Sequence, residues 1–314
     1  MNTILAIFIF CVVLFVYLHI YYHLKKCDDL EIYEIQQPSK ERLEEICDLR
    51  QPVLFDFDFQ DNCTLSSISE SYGAFDVKVR NIKENDENSE MYVPIALNAA
   101  IQAFQGDKNA KFLSENNQDF LEETALIKSL RYNDAFIRPY MVSKCIYDIM
   151  LGSSNIETPF RYDINYRNYY VVTQGEAIFK IAPPKSSRYL YTIYDYDNFE
   201  FRSPVNPWKV QQQYKSDFDK IKCLEIKLKP GNILFIPAYW WYSVKLSEDT
   251  SLCTFKYRTY MNTLAISPSL LMHFLQRQNI KHTLAPVLNS KIISDSIPTS
   301  IIETPSKTQT QIIN

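Results

Sequence analysis

The feature that most constrains this chain is an uncharged apolar run near its start, ILAIFIFCVVLFVYLHIYY, from Ile4 to Tyr22. As a helix at ~1.5 Å per residue it would be roughly 28 Å long, about the thickness of a bilayer core. A cleaved signal peptide has positive charge before the run, a shorter apolar stretch and small residues at the cut site. Here Met1, Asn2 and Thr3 bring no charged side chain, and the run ends in Tyr, His and Leu. The expectation is an uncleaved single-pass anchor over residues 1–24, with residues 4–22 in the membrane. Lys25 and Lys26 flank its end, which by the positive-inside bias places the bulk of the chain in the cytosol.

The remainder reads as a globular protein, with 46% hydrophobic and 22% charged residues overall and a net charge of −4. No basic stripe is present, so no nucleic-acid partner is expected. The seven cysteines are scattered, with no C-x-x-C pair, and read as free thiols in a reducing compartment. The Asn62-Cys63-Thr64 sequon reads as a chance triplet.

A linker is expected over 25–37, followed by an α/β part over 38–157. Ser39 is a plausible N-cap for a helix carrying Leu43 and Ile46, and Pro52 opens a strand. DVKVRNI alternates as a strand does; VPIALNAAIQAF, NNQDFLEETALIKSL and SKCIYDIML read as helical. From Thr158 the character changes to short β-branched and aromatic runs, punctuated by Gly175, Pro183-Pro184 and Pro230-Gly231. That pattern predicts a sandwich or barrel over 158–265. A helix follows over 266–283, then a Ser/Thr-rich tail over 284–314, expected to be flexible.

Two segments of the β-rich part carry a resemblance. TPFRYDINYRNYYVVTQGEAIFKIAPP (158–184) is similar to the stretch of cupin-like hydroxylases of the JmjC type that reads Thr-Pro-x-His-x-Asp, Asn, two aromatics, a turn glycine, a strand and Pro-Pro. LKPGNILFIPAYWWYSV (228–244) resembles that family's closing motif. Residues 35–262 follow the family layout. The resemblance implies a mainly β fold with flanking helices, a double-stranded β-helix (jelly roll).

The family chemistry uses Fe(II) and 2-oxoglutarate, the metal being held by two histidines and one carboxylate. The His-x-Asp spacing puts both side chains on one strand face. Here Asp163 is kept, but the histidine positions hold Arg161 and Tyr242. Where the family often has a lysine for the 2-oxoglutarate carboxylate, this chain has Ala177. The four histidines are His19, His23, His273 and His282, none of them between residues 24 and 272. A two-histidine site inside the barrel is therefore excluded unless the tail intrudes.

The resemblance thus implies a degenerate metal site at Arg161, Asp163 and Tyr242, with no catalytic residue, no metal and no cofactor. Arg161 is expected to occupy the metal position and pair with Asp163 and the Tyr242 hydroxyl, though an ordinary strand-end salt bridge would read the same. Thr158, Asn168, Tyr170, Ala177, Trp240 and Lys256 are candidate lining residues of any residual pocket, with Trp240 and Trp241 equally readable as wall packing.

The expected role is a membrane-anchored binding or scaffold module with a protein partner, open to homodimerisation through PSLLMHFLQ. The alternatives are an active Fe(II)/2-oxoglutarate hydroxylase with atypical ligands and a small-anion sensor built on Arg161.

Overall fold

The structure is a computed structural model and describes residues 2–57, 63–83, 92–196 and 198–278. Asn62 of the sequon, His282 and the 284–314 tail lie outside the described residues.

The strands in chain order are β1 (Tyr33–Ile35), β2 (Val53–Asp56), β3 (Asp76–Asn81), β4 (Val93–Ala96), β5 (Phe112–Ser114), β6 (Val142–Gly152), β7 (Arg161–Tyr162) and β8 (Arg167–Gln174). They continue with β9 (Ala177–Ala182), β10 (Ile193–Asp195), β11 (Glu200–Arg202), β12 (Leu224–Leu228), β13 (Asn232–Phe235), β14 (Trp241–Leu246) and β15 (Ser251–Thr259). They form a nine-stranded sheet, β1-β2-β13-β8-β15-β6-β5-β3-β4, and a six-stranded sheet, β10-β11-β7-β14-β9-β12.

Inside these lie the eight strands of a double-stranded β-helix. β6, β15, β8 and β13 are neighbours in the first sheet; β7, β14, β9 and β12 are neighbours in the second, and every pairing among them is antiparallel. The expected mainly β jelly roll with flanking helices is the fold observed. Its first strand is the surprise. SKCIYDIML lies within β6 and is not helical, so the barrel begins before residue 158.

The reason is burial on both faces. Tyr147, Ile149 and Leu151 of β6 face a cluster under the helices, with Phe55, Tyr169, Phe235 and Phe255, while Met150 faces the jelly-roll interior with Tyr170, Phe179, Leu234 and Tyr242. A strand covered on both sides loses the polar–apolar alternation that would identify it. VPIA, likewise read as helix, is β4, and the helix begins at Leu97.

Local chemistry sets the boundaries. The Ser39 hydroxyl accepts from the Arg42 N–H, capping the helix Lys40–Cys47. Gly175 closes the β8–β9 turn at φ 78, where an added Cβ would sit 2.5 Å from the Thr250 hydroxyl. Cys47, Cys63 and Cys253 are buried and all described cysteines are free thiols.

The helix Asn2–Leu24 contains a segment, Thr3–Leu24, with mean hydropathy 2.8, long and apolar enough to cross a membrane. The segment after it is no slack linker. Lys185 donates to the Asp28 side chain from its backbone N–H (2.6 Å) and to the Asp28 carbonyl from Nζ (2.9 Å). Tyr33–Ile35 then pairs parallel with β2.

Candidate functional site

The two recognised motifs converge. β7 and β14 are paired with Arg161 directly opposite Tyr242, and Asp163 follows β7. β15 brings Lys256 and β8 brings Tyr170 to the same end of the interior. These five side chains line one cavity of about 360 Å³.

The expected Arg161–Asp163 pair does not form. Arg161 instead turns to Glu115, with Nη1 2.7 Å from Oε2. Arg80 ion-pairs with Oε1 of the same carboxylate, and the Tyr92 hydroxyl donates to that oxygen at 3.2 Å. Glu115 is buried (2% exposed). Burial would raise its carboxyl, but the two guanidinium groups hold it well below the ordinary glutamate value. The Arg161 guanidinium also lies 5.5 Å from the centre of the Tyr242 ring.

Asp163 has different partners. Lys256 Nζ is 3.0 Å from Oδ1. On Oδ2 the Tyr242 hydroxyl donates at 2.9 Å and the Tyr170 hydroxyl at 3.2 Å. Burial opposes the charge on Asp163, but Lys256 outweighs it and the carboxyl stays below its usual range. Burial raises both phenols, so they remain protonated donors.

The other lining candidates do not face the cavity. Thr158 Oγ1 accepts the Val244 N–H, locking the loop before β7 to β14. Asn168 donates to the Ile236 carbonyl. Ala177 packs in the interior cluster opposite Leu246 and Leu228. Trp240 is fully buried, its indole N–H donating to the Arg50 carbonyl. Thr158, Asn168 and Trp240 match the family pattern because the fold needs them there, and Ala177, which departs from it, serves only as packing.

Three contributors were not legible in advance. Glu115 and Arg80 come from the segment before the barrel. His273, placed beyond the barrel by sequence, returns on the helix Ser267–Gln278 to line the cavity mouth. Its Nδ1–H donates to the Tyr196 carbonyl and its ring stands edge-on to Phe199.

The profile of the cupin-like domain matches residues 33–262, well over half of the chain. The chain belongs to the cupin-like domain family. Among curated proteins it is similar to HSPB1-associated protein 1 of rat and of human, each 28% identical over 105 residues, covering 33% of this chain and 22% of the relative. The zebrafish homolog is 24% identical over 105 residues, covering 33% of this chain and 23% of its own. These matches therefore span about a fifth of the relatives' length.

The family resemblance implies iron, and the donor set of this cupin-like domain does not fit it. Arg161 carries a fixed positive charge at one histidine position, and Tyr242 spends its proton on Asp163 at the other. An ammonium already occupies the one carboxylate a metal would need. Among the described residues no group of three or more His, Cys, Asp or Glu is placed to hold a metal ion.

Proposed function

We propose that this cupin-like domain is a catalytically silent binding module held at a membrane by its N-terminal helix, with its bulk on the cytosolic side. The observation that carries the reading is the engagement of Asp163 by Lys256, Tyr242 and Tyr170. That network satisfies a half-buried carboxylate with one ammonium and two phenol donors, the opposite of what a metal ligand needs. The relatives are named for association with HSPB1, which supports a protein-binding role here too. The test is iron content and succinate formation by the full chain, purified without oxygen and given Fe(II) and 2-oxoglutarate. Neither bound iron nor succinate is expected. Stoichiometric iron with turnover lost in Asp163→Ala would overturn the reading and favour a hydroxylase with atypical ligands.

One observation favours an anion as a ligand of the same cavity. Arg161 is committed to Glu115, but Lys144 and Arg258 face each other across β6 and β15 at the cavity mouth. Arg258 Nε donates to Asn165 at 2.6 Å, and among the described residues neither cation has an ion pair. Two adjacent cations without an ion pair favour a small anion between them. Phosphate should raise the melting temperature of the wild-type chain and leave Arg258→Ala unchanged; equal shifts in both would refute this.

A further inference from the structure

The last turns of the N-terminal helix do not stand clear of the domain. They form one wall of a second cavity, about 600 Å³, with Leu18, His19 and Tyr22 on the helix side and Tyr140, Met141 and Tyr260 among those opposite. The acids at its edge, Glu44 and Asp48, are both neutralised by Arg167. Apart from this edge, His19, His23 and Thr259, the walls are aromatic, thioether and aliphatic.

Depth along the helix decides what fills the groove. Leu18 precedes Leu24 by six positions, ~9 Å along the axis at the α-helical rise. The polar layer outside the hydrocarbon core is about 5–7 Å thick on each side. If Thr3–Leu24 spans the bilayer, domain residues level with Leu18 and His19 reach the boundary between headgroups and acyl chains.

Those residues suit that boundary and not water. Tyr140, Met141 and Tyr260 are 67%, 74% and 61% exposed. Met141 sits at φ 54, a backbone region that a methionine seldom adopts. Tyrosine is enriched at membrane interfaces, and Lys40 lies 5.2 Å from the centre of the Tyr140 ring.

We infer that the groove between the N-terminal helix and the domain holds an acyl chain of a bilayer phospholipid, with the 139–141 turn and the start of the Tyr260–Ala265 helix set in the headgroup layer. This rests on the anchor reading of Proposed function. The lipid supplies the apolar surface that these exposed side chains lack, and the spanning helix fixes the groove at the right depth. No lysine or arginine lines the groove, which favours a chain over an anionic headgroup.

The test uses the full chain in phosphatidylcholine nanodiscs, with Cys27, Cys145 and Cys223 changed to serine. An environment-sensitive fluorophore is placed on native Cys11 in the helix. In a Cys11→Ser background it is placed on Met141→Cys, or on Glu248→Cys in the turn between β14 and β15. Spin-labelled lipid is the quencher. Strong quenching at Cys11 and at Met141→Cys, at least threefold above Glu248→Cys, is expected. Quenching at Cys11 alone overturns the groove inference and leaves the anchor standing; no quenching at Cys11 overturns both. Position 141 protected by a second copy, seen as cross-linking between chains, also overturns it. The wild-type chain should retain about one phospholipid through detergent purification, and Leu18→Trp, which fills the groove, should lose it while Cys11 stays quenched. Equal retention in both chains counts against the groove.

Discussion

Lys256→Met tests the reading of the cavity most directly. The substitution keeps the length of the stem and removes the ammonium 3.0 Å from Asp163 Oδ1. Removing one partner of a fully buried ion pair costs about 3–5 kcal/mol. Here Lys256 and Asp163 side chains are 23% and 18% exposed, so water screens part of the stranded charge. Two phenol donors also remain on Oδ2. The expected loss is therefore about 2 kcal/mol. Asp163→Asn in the Lys256→Met background should recover much of it, with a coupling of about 1–2 kcal/mol in the double-mutant cycle. Urea unfolding of the full chain in detergent micelles, followed by near-ultraviolet circular dichroism, measures all four corners. The pH dependence has a definite sign. The folded Asp163 carboxyl lies below its ordinary value, so the contribution of the pair is complete above about pH 4 and fades as pH falls through the depressed value. The gap between wild type and Lys256→Met should narrow on acidification. Additive single-mutant losses, or a gap unchanged at acid pH, would refute the reasoning.

Three further outcomes are expected. Burial raises the Asp148 carboxyl to about 6 despite backbone N–H bonds from Asn117 and Asn116. The folded state then takes up a proton more readily than the unfolded chain, so this group's contribution is largest at low pH and is lost between about pH 4 and 6, by at most about 3 kcal/mol; Asp148→Asn should flatten the melting temperature across that window. Gly175→Ala, which puts a methyl against Thr250 at positive φ, should cost more than about 2 kcal/mol in urea, whereas Gly231→Ala, at φ 93 with open space, should cost only about 1 kcal/mol. Arg161→His with Tyr242→His should bind Co(II), read by visible absorption, only when Lys256→Ser is added; Co(II) binding by the wild-type chain would contradict the donor-set argument.

What the sequence made legible was local. The spacing of Arg161 and Asp163, and the proline–aromatic run into Tyr242, place three side chains in one barrel because strand periodicity and turn chemistry act over a few residues. The partners were not legible. Arg161 meets Glu115 and not Asp163 because the segment before the barrel folds across its mouth, and such a contact leaves no periodic trace. β6 was hidden for the opposite reason: burial on two faces erased its alternation. His273 shows a third limit, since a helix that follows the barrel in sequence turns back over it.

The bonds between Lys185 and Asp28, and the pairing of β1 with β2, bear on mechanics. A tether with slack would let the barrel tumble and sample partners from any side. Here the stalk is stitched to the body within a few residues of its exit, so turning the helix about its axis turns the barrel with it. The cavity mouth keeps one compass bearing relative to the helix. On the proposed anchor, a partner would have to come to that bearing, and a second copy would meet the first only along directions the stalk allows.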